Sequence, residues 1–473
     1  MAGSMPGTTA QKARRINVEH KAYGTFAEIG AGQEVARWFF HVGGASATVA
    51  KTISAYDMTI SDAFYGPCEH YVSRQRLEAI LDDEYQFLLD QLKTGRVKTS
   101  GLFVLADTFA TRQAPDKEGQ GWMGIRFQHR PESDPSDVII HIRLLDLEPA
   151  REQETVGIIG VNLVYGAVYL HGDPEELLGS LFDELNRNRI EVDMIQFSGP
   201  AFPEIDNRLM TLQLIERGFT DVAMFSRDGK VVQAAEILYQ RPVLIERGSF
   251  RPVTYASLDI LEVASRVFAR QLPQSSQVPV TVMEMSLRNL TGDRFEHADF
   301  LTRVEILSRI GFATMISNYA HFYALSEYLH RYTKVMTVFA LGVPNLQQLL
   351  DPKYYTHLDG GILEGIGRLV KSNVRLYAYP SRNKMGKLIT ADTLLLPSSV
   401  QMLYRYLREN QFIQPIEHVE REDLHLLPKD VLAKIQSDEP GWENQVPPEA
   451  VEAIKRRRYL SNRGTSDDVE SPG

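Results

Sequence analysis

The sequence predicts an α/β protein, a (β/α)8-like barrel preceded by a smaller α+β domain, with an open doubly wound parallel sheet as the alternative. Three observations carry this. The chain has 473 residues, 43% hydrophobic and 24% charged, enough for more than one core. Between residues 156 and 380 short apolar runs recur, continuous rather than alternating, as strands covered on both faces require. Most of them are separated by segments whose apolar residues have helical spacing.

The elements follow in order. Residues 1–15 are polar and are expected to be disordered. Residues 16–150 read as an α+β domain. EIGAGQEVARWFF has helical spacing, and SRQRLEAILDDEYQFLLDQL is an amphipathic helix with Ser73 as its N-cap. GLFVLADTFATR reads as a strand, and WMGIRFQHRPESDPSDVIIHIRLLDL as two antiparallel strands around a Pro/Ser/Asp turn.

The barrel-like domain is expected over residues 151–380. Its strands would be VGIIGVNLVYGAVYL, VDMIQFSG, DVAMFS, PVLIERGS, VTVMEMSL, FATMISN, VMTVFALG and VRLYAYP. Gly218 and Gly311 stand where helix C-caps belong. RDGKVVQAAEILYQ is either a crossover helix or a hairpin, and a hairpin would favour the open sheet. Residues 381–460 read as a mostly helical extension and 461–473 as a disordered tail.

Composition narrows the function. Net charge is −10 with a pI near 5.7, which argues against a nucleic-acid partner. The one cysteine, Cys68, excludes a disulfide within the chain and leaves a cysteine zinc site without ligands. Beside Glu69 and His70 it reads as an inert thiol, because adjacent side chains point different ways. MAGSMPGTTAQKARR has no apolar stretch behind its charges, and no window of about 18 apolar residues follows. A cytoplasmic location without a membrane partner is therefore expected. The histidines are scattered, with no H-E-x-x-H, so no metal site is expected, and G-x-S-x-G is absent.

Ligands of parallel α/β folds collect at the carboxyl ends of the strands. Those ends carry Arg247, Ser249 and Arg251 in ERGSFRPVT, then Arg288, Asn289 and Asn318. Such donors suit a phosphate or carboxylate, although the arginines could equally pair with acidic residues at helix starts. Glu246 and Glu284 near strand ends are candidates for general acid or base, or for capping neighbours.

The glycines of GTFAEIGAGQEVARWFF raise a dinucleotide loop for consideration. HKAYGTFAEI reads poorly as a buried strand, and Val35 stands where the third small residue would be, so a helix entry is expected instead. The run from Gly43 to Thr48 is either a close helix contact or an anion cradle, with Lys51 and Asp57 able to close over a site.

AYGTFAEIGAGQEVARWFF, ATVAKTISAYDMTISDAFYG, ETVGIIGVNLVYGAVYL, FSGPAFPEIDNRLMTLQLIERGFTDVAMF, RGSFRPVT and LDGGILEGIGRLV together resemble a bacterial family of about this length. Its members carry the labels nicotinate-nucleotide adenylyltransferase or TonB-dependent receptor. The receptor label implies an outer-membrane barrel, which the α/β pattern does not match. The adenylyltransferase label implies an H-x-G-H-type motif that holds nucleotide phosphates. Its nearest counterpart, His41-Val42-Gly43-Gly44, lacks the second histidine, so no catalytic residue transfers.

The expectation is a cytoplasmic enzyme, a transferase among the classes admitted. It would act on a small anionic substrate (phosphorylated, nucleotide or carboxylate) at the strand ends. Arg247 and Arg251 would clamp the anion, Arg288 and Asn289 orient it, and Glu246 or Glu284 move protons. A homo-oligomer is compatible, and no cofactor is specified. The alternatives are an assembly or regulatory protein on a pseudo-enzyme scaffold, and the nucleotidyltransferase of the label.

Overall fold

The computed structural model describes residues 7–92, 100–112, 114, 117–274, 277–287, 297–371, 373–383, 385–416 and 428–457. The expected tail over 461–473 lies outside them. The chain divides into two units, Met1–Thr220 and Asp221–Gly473. Among the described residues, no helix is long and apolar enough to cross a membrane.

The first unit begins with a helix where disorder was expected. Thr9–Glu19 is opened by a capping box, Thr8 with Gln11. The helix is anchored by Lys12, whose buried ammonium lies 2.6 Å from Asp183 and 2.8 Å from the Asn162 amide oxygen. An ion pair and an amide acceptor offset the desolvation that pulls the Lys12 pKa down.

Six strands follow: β1 (Ala22–Ile29), β2 (Val49–Ile53), β3 (Gly101–Ala110), β4 (Gly119–Phe127), β5 (Ser136–Leu144) and β6 (Ile190–Ser198). They form one sheet in the order β2-β1-β3-β4-β5-β6. β2, β1 and β3 run parallel, and β3 to β6 form an antiparallel meander. The helix Arg74–Gln91, N-capped by Ser73, lies over β3 and β4, its Leu77 and Leu81 filling the space that Gly124 leaves. The other face is covered by the helices Glu34–His41 and Pro149–Tyr169.

Two expectations are corrected here. VGIIGVNLVYGAVYL is a buried helix within Pro149–Tyr169, not a strand. An apolar run of that length satisfies both periods, and its glycines mark close helix contact: a Cβ on Gly160 would stand 2.3 Å from Val35. HKAYGTFAEI, in turn, contains strand β1, buried on both faces except at the half-buried Tyr23. Gly24, Thr25 and Glu28 interrupt the apolar run that would mark such a strand.

The second unit carries β7 (Val222–Phe225), β8 (Val231–Val232), β9 (Val243–Arg247), β10 (Val280–Ser286), β11 (Ala313–Ser317), β12 (Thr337–Gly342) and β13 (Val374–Tyr379). A two-residue pair, β14 (Ser381–Arg382) and β15 (Leu388–Ile389), stands apart, and β16 (Ile413–Pro415) follows. The main sheet has the order β16-β13-β12-β9-β10-β11-β7-β8. From β11 to β16 all neighbours are parallel, while β7 and β8 are antiparallel additions beside β11.

This sheet is open, so the expected closed barrel is not formed. Of the eight runs assigned to it, the first is a helix and the second is β6 of the first unit's sheet. RDGKVVQAAEILYQ makes the hairpin β7-β8 and the short helix Ala234–Leu238 rather than a crossover. Counted along the chain from β9, the parallel strands lie in the order 3-2-1-4-5-6, which reverses between β9 and β12. In such sheets the reversal opens a crevice at the carboxyl ends.

Candidate functional site

β9 is Val-Leu-Ile-Glu-Arg, and its last two residues point to opposite faces as strand geometry requires. Arg247 meets Glu284 of β10, its register partner. Nε donates at 2.5 Å and Nη2 at 3.0 Å to the two carboxylate oxygens. Nη2 and Nη1 also donate to the carbonyls of Tyr319 (2.9 Å) and Ala320 (3.3 Å), and the guanidinium lies 4.7 Å from the Phe322 ring centroid. Ser317 of β11 donates its hydroxyl to Glu284 at 2.6 Å. The network ties the ends of three parallel strands. The two charges engage each other within the fold, and Glu284 is fully buried. The anion clamp expected of Arg247 and the proton transfer expected of Glu284 therefore meet a closed ion pair.

Glu246 faces the other way, toward the helix Tyr255–Gln271. Ser257 on that helix gives its carboxyl a hydrogen bond, yet Oε2 is buried with no partner. Burial raises the Glu246 pKa well above the ordinary value, against a smaller lowering by the Ser257 hydrogen bond. The helix begins at Thr254, whose hydroxyl caps Ser257 at 3.4 Å. One turn on, Asp259 is buried and accepts the hydroxyl of Tyr379 at the end of β13.

The loop from Gly248 to Val253 joins these parts. The Ser249 carbonyl accepts from Arg303 at 3.0 Å, and Arg303 pairs with Asp299 one turn away on the helix His297–Ile310. Arg251 sits 3.6 Å from the same Asp299 and keeps 40% of its side chain in solvent. Of Arg247 and Arg251, Arg251 is the one whose side chain reaches solvent. Arg288 and Asn289 lie outside the described residues.

The remaining expected residues are placed elsewhere. Asn318 is exposed, its backbone amide 2.8 Å from the Asp221 carbonyl. Lys51 and Asp57 belong to the first unit. Lys51 pairs with the buried Glu84 and lies 4.1 Å from the Phe87 ring centroid. Asp57 is the N-cap of Met58–Tyr65, accepting from Thr59 and Ile60. Gly43 and Gly44 have φ of 77° and 79° and form a turn, where a Cβ on Gly43 would meet nothing within 4 Å and one on Gly44 only Asn17 at 3.5 Å, so close helix contact is not what they serve. The helix entry at Glu34 is occupied from within: the Val35 and Ala36 amides donate to Glu28 at 2.8 and 2.9 Å. A carboxylate of the chain thus stands where a phosphate would bind a helix start.

Sequence reasoning missed Ser257, Asp259, Asp299 and Arg303. Thr254 ahead of an apolar-periodic segment was the available signal, since an N-cap directly after a strand-end loop fixes which helix faces the site.

An open, largely parallel sheet interleaved with helices defines an α/β protein. Beyond that class, the chain is similar to two groups of solved structures. Competence/damage-inducible protein CihA from Agrobacterium tumefaciens is 15% identical over 35% of this chain and 99% of its own, with a TM-score of 0.26. A CinA superfamily protein from Enterobacter cloacae is 10% identical over 35% and 95%, also at 0.26. A putative nicotinate-nucleotide adenylyltransferase from Vibrio parahaemolyticus is 10% identical over 47% and 99%, at 0.22. Likenesses this low carry no functional argument. No family model matches the chain, and no curated protein matches it.

Proposed function

We propose that the second unit binds a small anionic ligand, phosphorylated or nucleotide-like, in the crevice where β9 ends. One observation carries the reading: a buried carboxyl, Glu246, with one oxygen unpartnered, at the strand end where the sheet order reverses. Arg251 supplies the cation and the loop at Ser249 the close approach, while Glu246 acts as a proton donor or a hydrogen-bond donor to the ligand. If chemistry occurs, Glu246 is its general acid. Arg247 and Glu284 act as positioning residues that hold three strand ends in register.

The test is a thermal-shift and calorimetric screen of the whole chain against nucleotides, sugar phosphates and dicarboxylates. A ligand at 100 times its dissociation constant adds about 2.7 kcal/mol to stability. Arg251→Ala and Glu246→Gln should each weaken a hit at least about tenfold. A hit that neither substitution affects overturns the assignment.

A second reading is an assembly or regulatory protein on a pseudo-enzyme scaffold, supported by the Arg247–Glu284 pair, in which two strand-end charges are engaged with each other. Binding without turnover of any nucleotide in the panel would favour this reading.

A further inference from the structure

A second concavity, of about 220 Å³, lies in the first unit, where β1 and β3 begin and β4 ends. Its lining includes the edges of the buried Phe103 and Phe127, Val168, and the polar Lys21, His129 and Arg130. Its lining contains no carboxylate. Lys21 is 58% exposed and 3.0 Å from Glu19, which Arg15 also engages at 2.8 Å. One carboxylate therefore answers two cations there, before Arg130 is counted.

The imidazole is set to respond to an anion. Arg130 Nε lies 3.1 Å from His129 Nε2 and donates to it, while Nδ1 is 3.3 Å from the Ser133 hydroxyl. Accepting on Nε2 places the ring proton on Nδ1 and keeps the ring neutral. Burial, then Arg130 and His171, hold its pKa below the ordinary value. Gln128 is engaged, accepting from the Leu102 amide at 3.1 Å, so the polar character of the concavity comes from its cationic rim.

Size limits the occupant. An apolar cavity of about 150 Å³ in another protein accommodates one benzene ring. The larger volume here admits one ring bearing a carboxylate and leaves no room for a nucleotide. We infer that this cavity is a binding site for a small aromatic carboxylate, its ring against Phe103 and Phe127 and its charge between Lys21 and Arg130. The site is independent of the one proposed in the second unit.

The experiment is calorimetric titration of the full chain with benzoate, its neutral isostere benzamide, and inorganic phosphate. Carbon-edited proton spectra of the His129 ring are recorded in parallel. Benzoate should bind one to one with a Kd of about 1 mM or tighter, and benzamide at least about tenfold more weakly. Lys21→Ala and Arg130→Ala should each reduce benzoate affinity, with unfolding midpoints unchanged. In the unsubstituted chain, benzoate should move the His129 resonances and raise the pH at which they titrate, because a neighbouring anion favours imidazolium. Equal binding of benzamide, phosphate binding as tight as benzoate, no saturation by about 10 mM benzoate, or unmoved His129 resonances would each overturn the inference.

Discussion

Each unit places a glutamate one residue before the end of a central parallel strand, and the two are treated in opposite ways. Glu28 in β1 has both oxygens engaged by amides at the start of the next helix. Glu246 in β9 has a hydroxyl on one side and nothing on Oε2. Both are buried and both pKa values are raised, Glu28 to about 7. Burial and a raised pKa are thus common to the two carboxyls, and what differs is how many of their oxygens are engaged. Asp107, the register partner of Glu28 in β3, has the same count as Glu246: one oxygen accepts from Ile29 at 3.1 Å, and the other is buried without a partner.

The largest expected effect tests the closed ion pair beside Glu246. Glu284→Ala strands the Arg247 guanidinium, and urea unfolding of the second unit should show a loss of about 3–5 kcal/mol. A loss under about 1 kcal/mol would mean that the network is ornamental to the strand ends.

Next is Glu28→Ala, which leaves two helix-start amides unpaired and should cost about 2–4 kcal/mol in the first unit. If that substitution is neutral, water already serves those amides and the contrast with Glu246 collapses.

The pH dependence sharpens the comparison. Desolvation raises the folded pKa of Glu28 above its unfolded value, with Glu34 adding like charge, so the folded state holds the proton more tightly. Stability from this source is fully present below the unfolded pKa and is lost as pH rises toward 7. The loss is at most about 3 kcal/mol. Unfolding midpoints measured between pH 4 and pH 8 should fall with pH, and Glu28→Gln should flatten the profile. A profile that rises over that window contradicts a proton held in the fold.

The smallest effect belongs to Glu246→Gln. An amide of the same shape in place of this buried carboxyl should change stability by less than about 1 kcal/mol while ligand affinity falls. Equal loss of stability and binding would make Glu246 a second Glu28.

Much of the fold was legible because covered parallel strands give continuous apolar runs, and β9 to β13 were located that way. The first unit was harder to read. An apolar run of strand-like composition folded as the helix Pro149–Tyr169, and β1 hid behind its own glycine and threonine. The site was only half legible. ERGSFRPVT drew attention to two arginines, but alternation along β9 sends Arg247 to one face, and the loop turns Arg251 toward Asp299. That divergence depends on Glu284 and Asp299, neither of which lies within the segment, so reading the segment alone could not separate the two.

The eight-stranded sheet ends at both margins in stubs: β8 has two residues, and β16 has three, one of them Pro415. A long bare edge invites another chain to add a strand, whereas short margins and a proline give it little to pair with. This sheet is thus guarded against edge-to-edge aggregation by the shortness of its margins, and crowding alone gives it no ladder on which to grow.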